Sequence, residues 1–150
     1  MSEHIKKRHN KTVILYHLVF PVKYRREALN ENVIETLKEI CLEISKRYEI
    51  YFIEIGAEDD HIHFLVQSVP SVSVEVILRT IKSITAREIF RRHPEVKTKL
   101  WGGNLWTYGY YANTVGHYAS EEVIRKYVKN QGKEYNQIYK GQLVLFFDKE

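Results

Sequence analysis

Cysteine is almost absent from this 150-residue chain, which has only Cys41. A single cysteine excludes an intramolecular disulfide framework, and its position on the apolar stripe of a predicted helix favours a packing role. Glycine and proline are sparse too, at seven and three residues, and repeats and low-complexity segments are absent. No apolar run approaches the roughly 20 residues of a membrane span, and the basic N-terminal arm at 1–11 lacks the core of a signal peptide. We therefore expect a soluble, cytoplasmic protein with no membrane partner.

The composition is typical of one compact domain. Of the 150 residues 44% are apolar, which is enough for a hydrophobic core in a single domain spanning 1–150. The formal net charge is +4 and the sequence pI is about 9.0. This moderate positive charge is compatible with a polyanionic partner and equally with an ordinary basic protein, so charge alone does not decide the function.

Apolar periodicity and capping residues predict the order of secondary structure. Strands are predicted at 12–20, 50–57, 61–67 and 105–113, a loop at 95–104, and helices at 30–48, from Ser71 or Ser73 to 92, and at 120–131. This order matches an α+β fold, a ferredoxin-like or RRM-like βαββαβ sandwich whose helices cover one face of an antiparallel sheet and leave the other face open. The tail at 133–150 ends in an apolar run, and we expect it to dock on the domain or on a partner subunit.

Two histidines stand out on the third predicted strand. Side chains alternate between the two faces of a strand, so His61 and His63 project from one side. Ile62, Phe64 and Val66 project from the other side, under the helices. Side chains two residues apart on one face lie about 6 to 7 Å from each other. That spacing allows both imidazoles to reach one metal ion.

Other interpretations of these histidines remain open. A histidine at a strand end is often only a partly buried aromatic with one satisfied nitrogen. A third alternating histidine would indicate a nucleotide hydrolase of the histidine-triad kind, but Leu65 occupies that position. Asp60, directly before the pair, either orients a histidine or only forms the turn. His17 shares a face of the first strand with Leu15 and Val19, and we interpret it as a histidine at the core edge.

Two groups of cationic residues are candidates for contacts to nucleic acid. The first follows the first strand and adds an aromatic ring to its cations, in Lys23, Tyr24, Arg25 and Arg26. The second lies on the outer surface of the second helix and comprises Arg79, Lys82 and Arg87. The alternatives are a solvated loop and a solvated helix face, since Glu75 is spaced to form an intrahelical ion pair with Arg79.

The third predicted helix and the aromatic segment before it carry the remaining candidates. Tyr127 and Gln131 are spaced i, i+4, so they lie one turn apart on the same helix face. Val123 precedes Tyr127 by four residues, and a tyrosine packed at the edge of an apolar stripe is therefore the alternative. Three tyrosines of the preceding segment are candidates for core, interface or base-stacking positions, namely Tyr108, Tyr110 and Tyr111.

Together, four segments resemble one family, the single-tyrosine HUH-endonuclease transposases of small insertion sequences, of the IS-two-hundred type. Residues 23–26 resemble the basic motif after the family's first strand, and Asp-His-Ile-His at 60–63 resembles its metal-binding signature. Residues 106–116 resemble the segment before its catalytic helix, and Tyr-Val-Lys-Asn-Gln at 127–131 resembles the Tyr-x-x-x-Gln of that helix. Each motif is short, but their order and spacing are specific and cover most of the chain.

The resemblance implies both a reaction and a site. Tyr127 would be the nucleophile, and His61, His63 and Gln131 would bind Mg²⁺ or Mn²⁺. The family cleaves and rejoins single-stranded DNA next to hairpins through a 5′-phosphotyrosine, and works as a homodimer with composite active sites. The helix with Tyr127 would then swap between subunits about a hinge at 116–120. Because two imidazoles and an amide are neutral and Mg²⁺ prefers oxygen ligands, we expect weak cation binding until a substrate phosphate completes the site.

Two alternative functions accompany this hypothesis. One is a domesticated relative that processes chromosomal repeat hairpins, which the sequence does not distinguish from a mobile transposase. The other is a non-catalytic single-stranded nucleic-acid-binding module of the same fold. Such a module needs exposed aromatics on the open sheet face, where this sequence has His61 and His63. For any of the three, the cytoplasmic protein would be nucleoid-associated when bound to DNA.

Overall fold

The computed structural model describes residues 14–22, 29–57, 61–100 and 104–115, together with one later strand. The described elements, in chain order, are β1 (Ile14–Pro21), α1 (Glu31–Arg47), β2 (Tyr51–Ala57), β3 (His61–Ser68), α2 (Val74–Arg92), α3 (Pro94–Lys99), β4 (Tyr111–Val115) and β5 (Asn136–Lys140). Among these helices, none combines the length and the apolarity needed to cross a membrane.

The described strands form one antiparallel sheet in the order β4-β1-β3-β2-β5. The crossover containing α1 connects β1 to β2, with β3 lying between them, and the crossover containing α2 connects β3 to β4. This is the topology of a βαββαβ sandwich, and the predicted α+β fold class is confirmed. β5 extends the sheet beside β2, where no strand is predicted, because its sequence Asn-Gln-Ile-Tyr-Lys has little apolar alternation.

Both long helices begin at the residues that the sequence marks as caps. The Asn30 side chain accepts a hydrogen bond from the Val33 backbone N–H at 2.9 Å, and α1 follows it. The Ser73 hydroxyl accepts one from the Val76 N–H at 3.2 Å, and α2 follows it. Each cap satisfies a backbone donor that the first helical turn leaves without an intrahelical partner.

The core lies between these helices and one face of the sheet. Ile62, Phe64 and Val66 of β3 belong to it, each no more than 1% exposed, as the strand alternation predicts. The Phe20 ring meets the rings of Phe64 and Trp106 edge-on, at centroid distances of 5.1 and 5.2 Å. This aromatic packing fixes β1 against β3 and against the segment that precedes β4.

Part of the second face of the sheet is buried as well. Leu15, His17, His63 and Leu65 alternate with the core residues on β1 and β3, and each is 3% exposed or less. The prediction that this face is open is therefore wrong for these four side chains. The sequence pattern predicts which helices pack on a sheet, but it does not predict other segments of the chain that bury side chains on the second face.

The aromatic segment before β4 is not the strand that the sequence predicts at 105–113. The structure has β4 at Tyr111–Val115, and Trp106 makes only an isolated bridge with Val22. The Trp106 indole N–H donates to the Thr85 hydroxyl on α2 at 3.0 Å, so this residue anchors an irregular segment to the core. The predicted loop before it likewise contains α3, because proline is well suited to the first position of a helix.

Thr85→Val is expected to destabilise the protein by about 1 to 3 kcal/mol. The substitution preserves the shape of the side chain but leaves the buried indole N–H of Trp106 without its acceptor. Urea unfolding at one temperature measures the effect. Thr85→Ser is the matched control, because it retains the hydroxyl and should lose clearly less stability than the valine variant. Equal losses in the two variants would show that the hydrogen bond is not the cause.

Candidate functional site

Pairing of β1 with β3 brings a third histidine to the predicted pair. In the antiparallel register Val19 lies opposite His63, and Pro21 lies opposite His61. Directly paired residues share a face of the sheet, and His17, two residues before Val19, therefore projects on the same face as His61 and His63. The ring centroids of His61 and His63 are 6.1 Å apart. Both imidazoles lie on one face at a spacing that one cation can bridge.

His17 and His63 form a buried hydrogen-bonded pair with nearly parallel rings. The Nε2 atom of His17 lies 3.1 Å from Nδ1 of His63, and the ring planes are inclined by only 12° at a centroid distance of 5.3 Å. Since Nδ1 of His63 is committed to His17, a cation can be bound by His63 only through Nε2. The sequence predicts His17 only as a residue at the core edge, because its contact with His63 depends on a strand pairing that the sequence does not display.

His17 is neutral at physiological pH. Burial, and secondly the neighbouring His63, lower the pKa of His17 from 6.5 to about 4. A neutral imidazole has one N–H and one lone pair, so the contact with His63 can be either donated or accepted by His17.

The paired imidazoles fit one part of a metal site. Imidazole is a common ligand of transition metals, and it suits Mg²⁺ less well because that ion prefers oxygen. Among the residues that the structure describes, no group of three or more His, Cys, Asp or Glu side chains is placed to hold a metal ion.

Several predicted site residues lie outside the described residues. They are Lys23, Tyr24, Arg25, Arg26, Asp60, Tyr127 and Gln131. The N-terminal arm at 1–11, the hinge at 116–120 and the helix predicted at 120–131 lie there as well. Their roles stay predictions from the sequence.

The predicted cations of α2 have different surroundings. The Lys82 ammonium donates to the carbonyl oxygens of Thr107, Tyr108 and Gly109, at 3.1, 3.3 and 3.4 Å. Lys82 therefore supports the segment before β4, and burial lowers its pKa. Arg79 lies 3.7 Å from Glu75 with its side chain 66% exposed, and such an exposed ion pair contributes little to stability. The Arg87 side chain is also largely exposed, at 64%.

A cavity of about 630 Å³ is lined by residues of α2 and of the segment 104–110. Its lining includes the apolar side chains of Leu78 and Trp106 and the cations Arg79 and Lys82. Tyr108 and Tyr110, which also line it, are 96% and 56% exposed. The volume lies in the range of small-molecule pockets, and exposed aromatic rings beside cations are typical of surfaces that bind unpaired nucleotides.

Acid is expected to destabilise the metal-free protein through His17. The folded pKa of about 4 lies below the unfolded value of 6.5, so the folded chain binds fewer protons between these values. The stability from neutral His17 is complete above pH 6.5 and is lost as the pH falls toward 4. From pH 7 to pH 5 this group loses on the order of 2 kcal/mol.

Urea unfolding in EDTA at pH 7 and at pH 5 measures this loss. Residue 17 cannot titrate in the His17→Gln variant. Between pH 7 and pH 5 this variant should therefore lose about 2 kcal/mol less stability than the wild type. A variant with the full acid sensitivity of the wild type would rule out His17 as its source.

Comparison with known proteins identifies relatives over most of the chain. Residues 10–131 match the model of the family described as "Transposase IS200 like". ISDra2 transposase TnpA of Deinococcus radiodurans is 34% identical over 116 residues, which cover 77% of this chain and 82% of that protein. The transposase for insertion sequence element IS200 of Salmonella typhimurium is 29% identical over 119 residues, which cover 79% and 77%.

Solved structures agree with these relatives. A crystal structure described as a transposase of Deinococcus radiodurans has a TM-score of 0.66 and 29% identity, covering 85% of this chain and 97% of that chain. A REP-associated tyrosine transposase bound to a REP hairpin has a TM-score of 0.52 and covers 82% and 67%. At 10% identity this second likeness shows the fold alone. The family model spans well over half of the residues, and the chain belongs to the family of IS200-like transposases.

Proposed function

We propose that this transposase cleaves and rejoins single-stranded DNA next to hairpins, with Tyr127 as nucleophile and Mg²⁺ or Mn²⁺ bound at His61 and His63. The observation that carries the proposal is the pair of imidazoles on one face of β3, 6.1 Å apart between ring centroids. Membership of a transposase family supports DNA as the substrate. Gln131 as a third ligand enters from the sequence resemblance, whereas an orienting role of Asp60 is the alternative to a turn-forming role.

In the proposed reaction the phenolate oxygen of Tyr127 attacks the scissile phosphorus. The new bond from Oη to phosphorus replaces the bond to the 3′ oxygen, which leaves and takes up a proton as a free 3′-hydroxyl. The unperturbed pKa of tyrosine is about 10, so attack requires loss of the phenol proton. A cation held by His61, His63 and Gln131 would offset the phosphate charge and orient the phosphate. The ester conserves the bond energy, and a 3′-hydroxyl can reverse the step to rejoin strands.

The cavity beside α2 supports an unpaired strand as the substrate. Tyr108 and Tyr110 expose their rings at its rim, and base stacking on such rings tolerates any sequence. Arg79 and Arg87 have exposed guanidinium groups on the same helix, where phosphates can approach. Lys82 would act indirectly, by holding the backbone that carries the tyrosines. The hairpin part of the proposal enters from the sequence resemblance, and the structural neighbour that was solved with a REP hairpin shares the fold.

The proposal is tested by incubating the protein with labelled DNA in three forms. These are a hairpin with single-stranded flanks, the flank alone, and a continuous duplex of the same sequence. With Mg²⁺ or Mn²⁺ we expect a covalent protein–DNA adduct that survives denaturant, formed on the hairpin substrate and suppressed by EDTA. The hairpins tested should include those at the ends of insertion sequences that encode related transposases. Absence of an adduct across them, or adducts of equal yield in EDTA, would contradict the proposal.

Mixed dimers test the proposed composite sites. One subunit carries Tyr127→Phe and the other carries His63→Ala, and each variant alone should be inactive. If Tyr127 acts on the histidine pair of its partner, the mixed dimer contains one complete site and should recover about half of the wild-type activity. Separately tagged subunits allow the mixed species to be purified before the assay. Complete inactivity of the mixed dimer would indicate that each site is built within one subunit.

A further inference from the structure

The contact between His17 and His63 joins two strands at the candidate site. His63 is flanked by Val19 of β1 on one side and by Gly56 of β2 on the other. Glycine has no side chain, so β2 offers His63 no neighbouring group at this register position. His17 is diagonal to His63 in the pairing of β1 with β3, and it contacts the His63 ring through the 3.1 Å hydrogen bond, with the two rings nearly parallel.

The hydrogen bond constrains where the protons lie. One of the two ring nitrogens must donate and the other must accept. A histidine binds a cation through a nitrogen lone pair, and for His63 that nitrogen is Nε2, because Nδ1 contacts His17. The proton of His63 must then lie on Nδ1 and be donated to Nε2 of His17. His17 in turn carries its own proton on Nδ1.

We propose that His17 is a positioning residue, which accepts a hydrogen bond from Nδ1–H of His63 and so fixes the tautomer and ring orientation that present Nε2 to a divalent cation. Histidine ligands commonly donate their second N–H to a fixed acceptor, and this acceptor sets the geometry of the ligand. The acceptor here is another imidazole. Unlike a carboxylate, it adds no negative charge, and the site remains attractive to a DNA phosphate. The inference rests on the proposed function only in its choice of cation.

His17 also contacts a side chain on β4, the strand on its other side. Its ring meets that of Tyr111 on β4 in an edge-on arrangement, with centroids 6.0 Å apart. Tyr111 lies directly opposite Val19 in the pairing of β4 with β1. His17 is thus held from β4 while it holds His63 on β3, and three adjacent strands fix the orientation of one candidate ligand.

Two substitutions separate positioning from packing. His17→Phe keeps a ring of similar size and removes the acceptor, whereas His17→Gln places an amide oxygen near the former Nε2 position. Affinity for Mn²⁺ alone is measured by titration calorimetry without DNA. We expect the Kd for Mn²⁺ to be about 10- to 100-fold higher in His17→Phe and to change by less than about 3-fold in His17→Gln. If His17 had a purely structural role, the Mn²⁺ affinity of each variant would instead change in parallel with its stability, which is measured by urea unfolding.

Nitrogen-15 NMR of histidine-labelled, metal-free protein reads the tautomer directly. The wild type and His17→Gln should show His63 protonated at Nδ1, and His17→Phe should lose this preference. Wild-type His63 protonated at Nε2 overturns the proposal, even where His17→Phe fails to fold. Mn²⁺ affinity in folded His17→Phe equal to that of the wild type overturns it too. Because neither readout involves DNA, failure of the proposed strand cleavage would leave both results unchanged.

Discussion

Tyr127→Phe is expected to abolish the covalent adduct with DNA and to lower strand cleavage by about 10⁴-fold or more. The substitution removes only the phenol oxygen, which is the atom that forms the ester with phosphorus in the proposed reaction. Binding of the hairpin should change by less than about 3-fold, because the aromatic ring remains. Single-turnover cleavage of labelled DNA gives the rate, and denaturing gels report the adduct.

The matched control for this prediction is Tyr48→Phe. Tyr48 follows α1 at its C-terminal cap and is 39% exposed, and loss of its hydroxyl should leave cleavage unchanged. An adduct that persists in Tyr127→Phe at the wild-type level would mean that another residue is the nucleophile. Equal loss of activity in both variants would point to a general effect on folding.

His63→Ala is expected to lower cleavage by at least about 10²-fold and to weaken Mn²⁺ binding strongly. The substitution removes one of the two imidazoles that lie on one face of β3, 6.1 Å apart between ring centroids. It also leaves Nε2 of the buried His17 without this partner, and we expect a cost in stability of about 1 to 3 kcal/mol. Activity is therefore compared at a temperature where unfolding measurements show both proteins to be folded. Excess Mn²⁺ should restore part of the cleavage if weaker binding is the main defect.

His93→Ala is a suitable control for the loss of a histidine. His93 lies at the start of α3, where its Nε2 contacts the Thr36 hydroxyl at 2.7 Å, and it takes no part in the candidate site. Its removal should lower stability slightly and leave cleavage and Mn²⁺ binding unchanged. A folded His63→Ala protein with wild-type cleavage would exclude the proposed cation site at β3.

The sequence predicts those features whose signals are local. Asn30 and Ser73 cap their helices because each side chain bonds a backbone N–H three residues later. The alternation of β3 separates His61 and His63 from the core residues without any knowledge of the partner strands. The order of strands and helices then restricts the topology, and the observed sheet follows it.

Features that depend on strand register could not be predicted in this way. His17 and His63 are 46 residues apart in sequence, and their contact requires the pairing of Val19 with His63. The only local signal is that His17 is a polar residue in an otherwise apolar strand. Such a residue buried at 1% exposure requires a hydrogen-bonding partner, but the sequence does not identify that partner.

The segment around Trp106 shows a different limit. Its aromatic and apolar content favours a strand, yet Trp106 is held by the Thr85 hydroxyl and Lys82 binds the carbonyls of the following residues. Lys82 of α2 thus satisfies backbone carbonyls that a regular strand would pair within the sheet, and Thr85 of α2 satisfies the indole N–H. Composition alone does not distinguish these two ways of burying aromatic residues.

In the proposed reaction Tyr127 forms a 5′-phosphotyrosine and a free 3′-hydroxyl is released. The most direct test of this reaction is mass spectrometry of the adduct isolated from a hairpin substrate cleaved in Mn²⁺ and digested with protease and nuclease. We expect a peptide containing Tyr127 that carries a nucleotide through its 5′ phosphate, and a released strand that a polymerase can extend. A nucleotide attached to any other residue, or through its 3′ phosphate, would exclude the proposed reaction.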